Sequence, residues 1–573
     1  MRENLAPIRR DAYKQLFVNG AFATLGYWAW VAFPHYWFLG AGLAGLAGLG
    51  MLGPLWDIWV GGPFYDDQKT IRREAKKKVY GKVSRLARES DGLIQKMRKP
   101  LGVFVAAFHQ SLLFYNPWQS GAAHCMVVGP PRTGKSNLLQ ATLLNLVHVG
   151  KKLKFSIWVN DVKGELYWVC AGTMQLIGKR VVVFNYFGLK NVPHTNFNPL
   201  DLVKQELTKT TGDCEARDWS AIFAKAMIAE PEGGGGSGNA VFFREGGRAL
   251  LRTLMVYMAV FEPDHCHLPR LRELVNTGND LLAMVANKMR ECQKFKNDHV
   301  NALVRGMGTR LTDNLKAEQA KPGTFGSFRQ EAEQATDIYD GSSTFGQRLM
   351  KKSTFSLEEL FDENTVCFDT TPLTKLGTHG SFKALMATVI IETFARRNQR
   401  SKFLMLFDEI GNVGKLPTDT ITKALSLLPG LGLRMVTYWQ SPVQPAMYGP
   451  TLKKMFYDQS SLLQTWQVSD PDFAQEMSRR SGKTTRKKAS FSQDPEKRDF
   501  RWSKSWDEFE EANLSETEIL HLPKHQQIVS VVGEPMIKAR KISFWQVRSW
   551  RQIAGPNPFE TGGYPKEDKI EWD

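Results

Sequence analysis

A glycine-rich loop with a lysine and a serine is the first feature of this sequence whose residue types and spacing indicate chemistry. The stretch Gly129–Ser136 reads GPPRTGKS and fits the pattern GxxxxGKS, with an apolar stretch before it and an apolar helical pattern after it. Backbone N–H groups of such a loop can cradle phosphates, while Lys135 would reach the β- and γ-phosphates and Ser136 would hold Mg²⁺. The predicted nucleotide contacts are Gly129, Pro130, Pro131, Arg132, Thr133, Gly134, Lys135, Ser136 and Asn137.

A pair of acids closes a second apolar run, Phe403–Phe407. Asp408 would hold Mg²⁺ through water, and Glu409 would polarise the water that attacks the γ-phosphate. A base at this position favours nucleotide hydrolysis over simple nucleotide binding. The alternative interpretation is a strand that ends in a solvated acidic turn.

A third predicted strand, Leu433–Gln440, ends in an amide. Gln440 could contact the γ-phosphate or the attacking water and report the nucleotide state to the chain that follows. The alternative is an ordinary amide at the end of a strand. The candidate catalytic residues are therefore Lys135, Asp408, Glu409 and Gln440, and the candidate metal ligands are Ser136 and Asp408.

The elements that must position these residues alternate between strands and helices. This alternation predicts an α/β fold with a mostly parallel sheet and helices on both faces. An edge strand is predicted at Ile542–Val547. The other predicted strands are Met126–Gly129, Ile157–Asp161, Arg180–Phe187, Val366–Thr370, Phe403–Asp408, Leu433–Gln440, Leu462–Val468 and Gln527–Val532.

The sequence between Lys135 and Asp408 is much longer than a compact nucleotide-binding core requires. We expect residues 213–335 to form an inserted all-α domain. Pro231–Gly238 is predicted to be a flexible glycine-rich loop, natural or not. The predicted helices of this domain are Glu215–Glu230, Gly247–Phe261, Asp280–Gln293, Asp298–Leu311 and Phe328–Ile338.

The amino-terminal region is strongly apolar. Asp57 is the only charged residue between Lys14 and Asp66, and the runs Leu16–Phe33 and Trp37–Val60 are each long enough to cross a bilayer. Basic residues flank both ends, which predicts a two-helix transmembrane hairpin with both ends in the cytoplasm. A cleaved signal peptide fits poorly because the apolar stretch is too long. A buried hairpin in a protein core is the remaining alternative.

Charge and composition narrow the class of protein further. Among the 573 residues, 75 Lys and Arg stand against 58 Asp and Glu, a net charge of +17, and 42% of the residues are apolar. The apolar fraction excludes a mainly disordered chain, and the charge predicts a polyanionic partner. Residues 66–100 are basic next to the predicted hairpin and suit anionic lipid. The segment Arg479–Arg501 combines basic and aromatic residues, which predicts a DNA-contacting loop or, alternatively, a solvated mobile loop.

Several of these motifs, in this order, resemble the TraG/TraD-like coupling ATPases of type IV secretion and conjugation systems. The resemblance covers nearly the whole chain and includes the amino-terminal hairpin. The matching segments are Gly129–Ser136, Asn160–Glu165 (NDVKGE), Phe197–Asp201 (FNPLD), Phe407–Glu409, Gly414–Leu416 and Gln440–Ser441, with a weaker match near Glu518–Val529.

The resemblance implies a RecA-like P-loop ATPase that binds ATP and Mg²⁺ and assembles as a homo-hexamer at the bacterial inner membrane. Such a ring passes relaxase-bound single-stranded DNA, effector proteins or both to the type IV secretion channel. Asp161, Lys163 and Glu165 would line the nucleotide cleft or a subunit boundary. Some relatives carry a trans-acting arginine just before the strand that ends at Gln440. Here 428–432 reads LPGLG and Arg434 is a poor substitute, so the trans-acting arginine stays open.

The predicted domains are a multi-pass anchor at 1–65, a nucleotide-binding domain at 66–212 and 336–550, the helical insertion at 213–335, and a tail at 551–573. Two alternatives to a motor remain at this point. One is an ATP-gated, membrane-tethered substrate receptor without motor activity, and the other is an FtsK-like DNA translocase, although no basic recognition-helix pattern supports a DNA-reading winged helix. Cargo identity and ring size stay open.

Overall fold

A computed structural model of the chain describes residues 84–119, 121, 123–149, 155–209, 214–231, 238–321, 323–397, 399–493 and 502–559, together with 17, 20–25, 27, 28, 46, 49 and 52. Among these, no helix combines the length and the apolar character that crossing a membrane requires. The predicted spans, Leu16–Phe33 and Trp37–Val60, lie mostly outside the described residues and stay a prediction. The chain divides into two compact units, Met1–Arg85 with Gly482–Asn513, and Leu86–Ser481 with Leu514–Asp573.

Thirteen strands occur in the described part of the chain. They are β1 (Val103–Phe108), β2 (Ser111–Tyr115), β3 (His124–Val128), β4 (Ser156–Val162), β5 (Arg180–Phe184), β6 (Thr365–Thr371), β7 (Phe403–Phe407), β8 (Leu433–Trp439), β9 (Ser460–Thr465), β10 (Lys483–Gln493), β11 (Trp502–Ala512), β12 (Gln526–Val531) and β13 (Ile537–Arg540). Eleven of them form one sheet in the order β2-β1-β13-β12-β9-β3-β8-β7-β4-β6-β5.

The larger unit is built on this sheet, which is parallel from β9 to β5. Every residue of β3, β4, β6, β7 and β8 is buried, as expected when helices cover both faces of a parallel sheet. The strands β12, β13, β1 and β2 extend the sheet by antiparallel pairing. The predicted α/β fold with a large, mostly parallel sheet is therefore confirmed.

The predicted edge strand at Ile542–Val547 is wrong. That segment contains a short 3₁₀ helix, Phe544–Gln546, followed by the helix Arg548–Ile553. A capping box starts it, because the Ser543 backbone N–H donates to Gln546 Oε1 at 2.8 Å. The antiparallel edge is formed instead by β1, β2 and β13, which the sequence patterns did not single out.

Helices connect the strands, and several of them form a long segment between β5 and β6. The described α-helices are Gly92–Met97, Lys135–Val149, Glu165–Leu176, Asp201–Thr208, Ala216–Met227, Gly238–Phe261, Leu268–Val275, Asn279–Arg290, Asp298–Ala320, Thr324–Thr336, Thr344–Leu349, Leu373–Ala395, Thr418–Ser426, Pro450–Asp458, Pro471–Ser481, Glu516–Leu520 and Arg548–Ile553.

The five helices predicted for residues 213–335 are present, with bounds that differ by up to nine residues. The sequence patterns missed Leu268–Val275, a helix of eight residues. Two helices pack closely at Gly308, where a Cβ would lie 2.6 Å from that of Met289. Residues 232–237 of the predicted glycine-rich loop lie outside the described part, and the domain boundaries stay a prediction.

The smaller unit contains an antiparallel ribbon, β10–β11, which replaces the loop predicted at Arg479–Arg501. Arg479 and Arg480 belong instead to the helix Pro471–Ser481. In the ribbon, Lys483 of β10 forms an ion pair with Glu510 of β11 at 2.9 Å. Charges of opposite sign across two strands stabilise each other. Residues 494–501, which include the remaining basic positions of the predicted loop, lie outside the described part.

Candidate nucleotide site

Sheet topology brings the three predicted segments to one edge. The strands β3, β8 and β7 are parallel neighbours, with Val128 paired to Trp439 and Phe407 paired to Thr437. Their carboxyl ends therefore lie side by side, where open α/β sheets bind ligands. The backbone N–H of Gly129 donates to the Trp439 carbonyl at 3.0 Å, which joins the start of the loop to the end of β8.

The glycine-rich loop runs from β3 into the helix Lys135–Val149. Gly134 has a φ of +96° and Arg132 a φ of +62°, so the loop turns through the left-handed region that glycine adopts at no steric cost. At Gly129 a Cβ would lie 2.8 Å from Nε1 of Trp466. Only glycine therefore lets the backbone pass this closely under the buried indole.

The ammonium of Lys135 closes the loop on itself. Its Nζ donates to the carbonyl oxygens of Gly129 at 2.6 Å and Pro130 at 2.7 Å. Burial lowers the pKa of Lys135, while the negative charges of Glu409 and Asp408 oppose this shift. The lysine is therefore near both acids and yet bonded to carbonyl groups, which are neutral.

Asp408 follows β7 directly, and only 8% of it is exposed. Burial raises the pKa of its carboxyl well above the usual value. Neighbouring carboxylates add to this rise and one ammonium opposes it. The carboxylates are Asp161, Glu409 and Glu165, and the ammonium is Lys163. Several acids thus repel one another at this corner, an arrangement that a divalent cation would relieve.

Glu409 lies beside Asp408 and is partly buried. Burial raises the pKa of its carboxyl, and the charge of Lys135 opposes the rise. Its Oε1 is buried and has no hydrogen-bond partner among the described residues. A buried acceptor without a donor is unusual in a folded protein, and it fits a position that a water or a ligand completes.

The carboxylate of Asp161 caps the first turn of the helix Glu165–Leu176, beside this cleft. Its Oδ1 accepts from the Leu166 N–H at 3.2 Å and its Oδ2 from the Tyr167 N–H at 2.8 Å. Lys163 and Gly164 both have positive φ, 78° and 81°, and turn the chain from β4 into the helix Glu165–Leu176. Burial nevertheless raises the pKa of Asp161 to about 7. The electrostatic effect of these residues on Asp408 agrees with a position along the cleft.

Gln440 follows β8 immediately and is therefore next to the start of the loop. Its backbone N–H donates to Oε1 of Gln444 at 2.7 Å. Arg434, in the same strand, is 8% exposed, and its guanidinium donates to the carbonyls of Pro117 and Pro429. Arg434 is therefore buried, with its guanidinium bonded to backbone carbonyls of its own chain.

Sequence patterns missed Lys541, which follows β13 and reaches the glycine-rich loop. Its Nζ donates to the Thr133 carbonyl at 2.6 Å and lies 5.4 Å from the centroid of the Trp466 ring. Burial lowers its pKa to about 8. Nearby, Asn137 Nδ2 donates to Ser543 Oγ at 3.4 Å. The sequence pattern nearest to Lys541 is the S-x-x-Q capping box that begins at Ser543. That pattern predicts the start of a helix, and it does not predict that Lys541 contacts the glycine-rich loop.

These residues fit a nucleotide with its metal ion. Two lysines with lowered pKa values flank the loop, and acids with raised pKa values stand across the cleft. Both lysines donate to backbone carbonyls and, among the described residues, form no direct ion pair with these acids. A phosphate chain with Mg²⁺ would supply an anion to the lysines and a cation to the acids.

A glycine-rich phosphate loop at the carboxyl edge of a mostly parallel sheet defines a P-loop protein of the α/β class. The chain belongs to the family described as Type IV secretory system Conjugative DNA transfer, whose model matches residues 68–562. This match covers most of the chain.

Individual relatives are more distant. A conjugal transfer protein TraG of Agrobacterium fabrum (strain C58) is 21% identical over 402 residues, which cover 69% of this chain and 57% of that protein. The matched part therefore spans less than two thirds of that relative. The plasmid coupling protein TrwB, solved with the ATP analogue ADPNP, has a TM-score of 0.53 at 15% identity, covering 81% of this chain and 95% of TrwB. TrwB solved with ADP and Mg²⁺ gives 0.50 at 14% identity, covering 83% and 92%. These likenesses show the fold.

Proposed function

We propose that this chain is an ATP-hydrolysing coupling protein that recruits relaxase-bound single-stranded DNA, effector proteins or both, and passes them to a type IV secretion channel. One observation carries the enzymatic part of the proposal. The Lys135 ammonium and the Asp408–Glu409 pair meet at one sheet edge, with both charges disfavoured by burial. Such a cleft suits a triphosphate and its Mg²⁺.

ATP with Mg²⁺ is the proposed ligand of this cleft. The geometry agrees with the ligands named for TrwB, an ATP analogue in one structure and ADP with Mg²⁺ in another. In this proposal the loop residues 129–137 cradle the phosphates, and Ser136 and Asp408 hold the metal ion. When bound there, Mg²⁺ would supply positive charge that stabilises the transferred phosphoryl group.

Hydrolysis is assigned to residues on two neighbouring strands. Glu409 orients and polarises the attacking water, which agrees with its partly buried carboxyl and the unpartnered Oε1. Gln440 contacts the γ-phosphate or this water from the end of β8, next to Gly129. Because the backbone N–H of Gln440 also donates to Oε1 of Gln444, a movement of Gln440 on hydrolysis would be transmitted to the segment that contains Gln444.

The cellular setting of the proposal comes from the family. We infer a homo-hexamer anchored in the bacterial inner membrane by the predicted hairpin at 1–65, with the bulk of the chain in the cytoplasm. The proposed division is a nucleotide-binding domain at 66–212 and 336–550, a helical insertion at 213–335 that receives substrates, and a tail at 551–573. The family description, conjugative DNA transfer, supports DNA as cargo.

The proposal is tested by ATP hydrolysis of the full chain in detergent or vesicles, with and without single-stranded DNA. We expect DNA to stimulate hydrolysis, and Lys135→Ala to lower turnover by about 10³-fold while DNA binding persists. The exposed Lys524 serves as control, because Lys524→Ala should leave turnover unchanged. Hydrolysis that DNA does not alter contradicts the motor, and nucleotide binding without hydrolysis would favour an ATP-gated receptor.

A further inference from the structure

A group of arginines collects on three packed helices of the segment between β5 and β6. Arg252 lies on the helix Gly238–Phe261, Arg217 on Ala216–Met227 and Arg310 on Asp298–Ala320. We call these three residues the arginine cluster. Arg217 and Arg310 are exposed, and Arg252 is half-buried.

The arginine cluster is poorly balanced by acids. Burial lowers the pKa of Arg252, and the neighbouring charges of Arg217 and Arg310 lower it further. Glu245 is the one acid that opposes this shift, and its carboxylate already accepts from Arg248 Nη1 at 2.6 Å. The rest of the Arg248 guanidinium donates to the Ile228 carbonyl, at 3.0 and 2.6 Å. The acid near Arg252 is thus shared with Arg248, and Arg252 has more cations than acids among the charges that act on it.

Two arginine side chains of this region also contain N–H donors that lack acceptors in the described part of the chain. The Nε of Arg252 is buried and has no acceptor among the described residues. The Nε of Arg244, on the same helix, is also buried without one. Arg244 and Arg252 are eight residues apart, about 12 Å along the helix axis. Donors left buried without acceptors destabilise the fold, as do cations of like charge spaced four apart on a helix, such as Arg248 and Arg252.

The strongest alternative is that these side chains only cover apolar surface with their alkyl stems. That role needs no guanidinium, and it would not favour two further arginine charges acting on the half-buried Arg252. An anion supplies what the arrangement lacks. The guanidinium fork matches phosphate oxygens in a bidentate geometry, and a polymer of phosphates could reach both the cluster and Arg244.

We propose that Arg217, Arg252 and Arg310 bind a phosphate group of single-stranded DNA, with Arg244 near a later phosphate of the same strand. The inference rests on the proposed function, in which DNA is cargo. It adds a DNA-binding site on the helical segment between β5 and β6. Sequence-independent phosphate contacts of this kind position a strand without reading bases.

The experiment measures the affinity of the full chain for a fluorescent oligothymidylate at several salt concentrations, without nucleotide. We expect Arg252→Met to weaken binding about tenfold and to reduce the salt slope by about 0.7. Its melting temperature should be unchanged or higher, because the variant removes a repelled, half-buried cation. Basal ATP hydrolysis should stay at the wild-type rate. The matched control is Arg400→Gln, an exposed arginine just before β7 that removes the same charge.

The outcomes separate this inference from the proposed function. If DNA stimulates hydrolysis of the wild type and Arg252→Met binds DNA equally well, the cluster proposal fails and the motor proposal stands. A lower melting temperature together with unchanged DNA affinity marks a packing role. Polyglutamate and phosphatidylglycerol vesicles serve as competitors at equal charge. Displacement of the oligonucleotide by either overturns the assignment to DNA.

Discussion

The two walls of the nucleotide cleft carry opposite charges, and burial disfavours the charge on each. On the wall formed by the glycine-rich loop, burial lowers the pKa values of Lys135 and Lys541. On the wall formed by β7 and β4, burial raises the pKa values of Asp408, Glu409 and Asp161. The two sets of charges do not neutralise each other through direct ion pairs, because both lysines donate to backbone carbonyls.

A buried pair elsewhere in the same sheet shows the contrast. Asp369, in β6, forms an ion pair with Lys383, and both side chains are almost fully buried. There the two charges are joined by a direct ion pair through Oδ1 of Asp369, although its Oδ2 has no hydrogen-bond partner among the described residues. At the cleft, opposite charges lie near one another but remain bonded to neutral groups or unpartnered. The absence of such a direct ion pair between the described lysines and acids of the cleft agrees with the proposal that a phosphate chain and a metal ion bind there.

The largest expected effect is on ATP turnover, when Glu409 on the acidic side of the cleft is replaced. Glu409→Gln should reduce ATP turnover by about 10²- to 10⁴-fold, because the amide cannot take the proton of the attacking water. The dissociation constant for ATP should change little, since the substitution keeps the shape and removes a negative charge. Steady-state turnover and equilibrium binding of a fluorescent ATP analogue measure the two effects.

Glu165→Gln is the matched control for this prediction. Glu165 also acts electrostatically on Asp408, but it begins the helix after β4. Its variant should keep most of the turnover. An equal loss in both variants would mean that the total negative charge matters and that Glu409 is not the base.

A second prediction concerns the metal ion. In the folded chain Asp408 binds a proton that the unfolded chain releases near pH 4, since its folded pKa is raised. This contribution to stability is therefore lost as the pH rises above that value. Asp408→Asn should raise the melting temperature at pH 8 by a few degrees in EDTA. The same variant should lose the stabilisation by Mg²⁺ that the wild type shows when ADP is present.

Calorimetry with EDTA or with ADP and Mg²⁺ measures both effects. Asp369→Asn is the contrasting variant, because it leaves the buried Lys383 unpaired and should lower the melting temperature in either buffer. A lower melting temperature for Asp408→Asn in EDTA would contradict the view that this carboxylate destabilises the fold unless a cation binds it.

The two walls also differ in what the sequence could predict. Asp408 and Glu409 end an apolar run, and the glycine-rich loop has a fixed spacing, so both are recognisable from residue types and spacing alone. Parallel strands then bring their carboxyl ends together, which is a rule of the fold. Lys541 had no such signal, because its place at the loop depends on antiparallel pairing of β12 and β13 with the sheet.

Charge along the sequence was the least reliable guide. The basic residues of Arg479–Arg501 predicted a DNA-contacting loop, but Arg479 and Arg480 lie in a helix, and Lys483, in β10, forms an ion pair with Glu510 of β11. That pairing is a non-local contact that a count of basic residues cannot include. The arginine cluster shows the reverse case. Arg217, Arg252 and Arg310 are scattered through the sequence and meet only because three helices pack together.

The smallest expected effect concerns Lys541, and its pH dependence distinguishes two roles. If its ammonium attracts the phosphates, Lys541→Met should weaken ATP binding about fivefold at pH 7. The wild-type affinity should fall between pH 7 and 9, as Lys541 loses its proton near its pKa of about 8, and the variant should lack this fall. Lys524→Met, at an exposed position, is the control.

The pH dependence of ATP binding would differ if Lys541 only holds the glycine-rich loop in place through its hydrogen bond to Thr133. Loss of the bond to Thr133 would then weaken binding by the same factor at every pH, because the carbonyl accepts from neutral and charged amines alike. Stability gives an independent reading. A lysine whose folded pKa is lowered binds fewer protons folded than unfolded between about pH 8 and 10.5, so wild-type stability should rise through that range relative to Lys541→Met. Parallel pH profiles of the two proteins would show that the charge of Lys541 does not act on the phosphates.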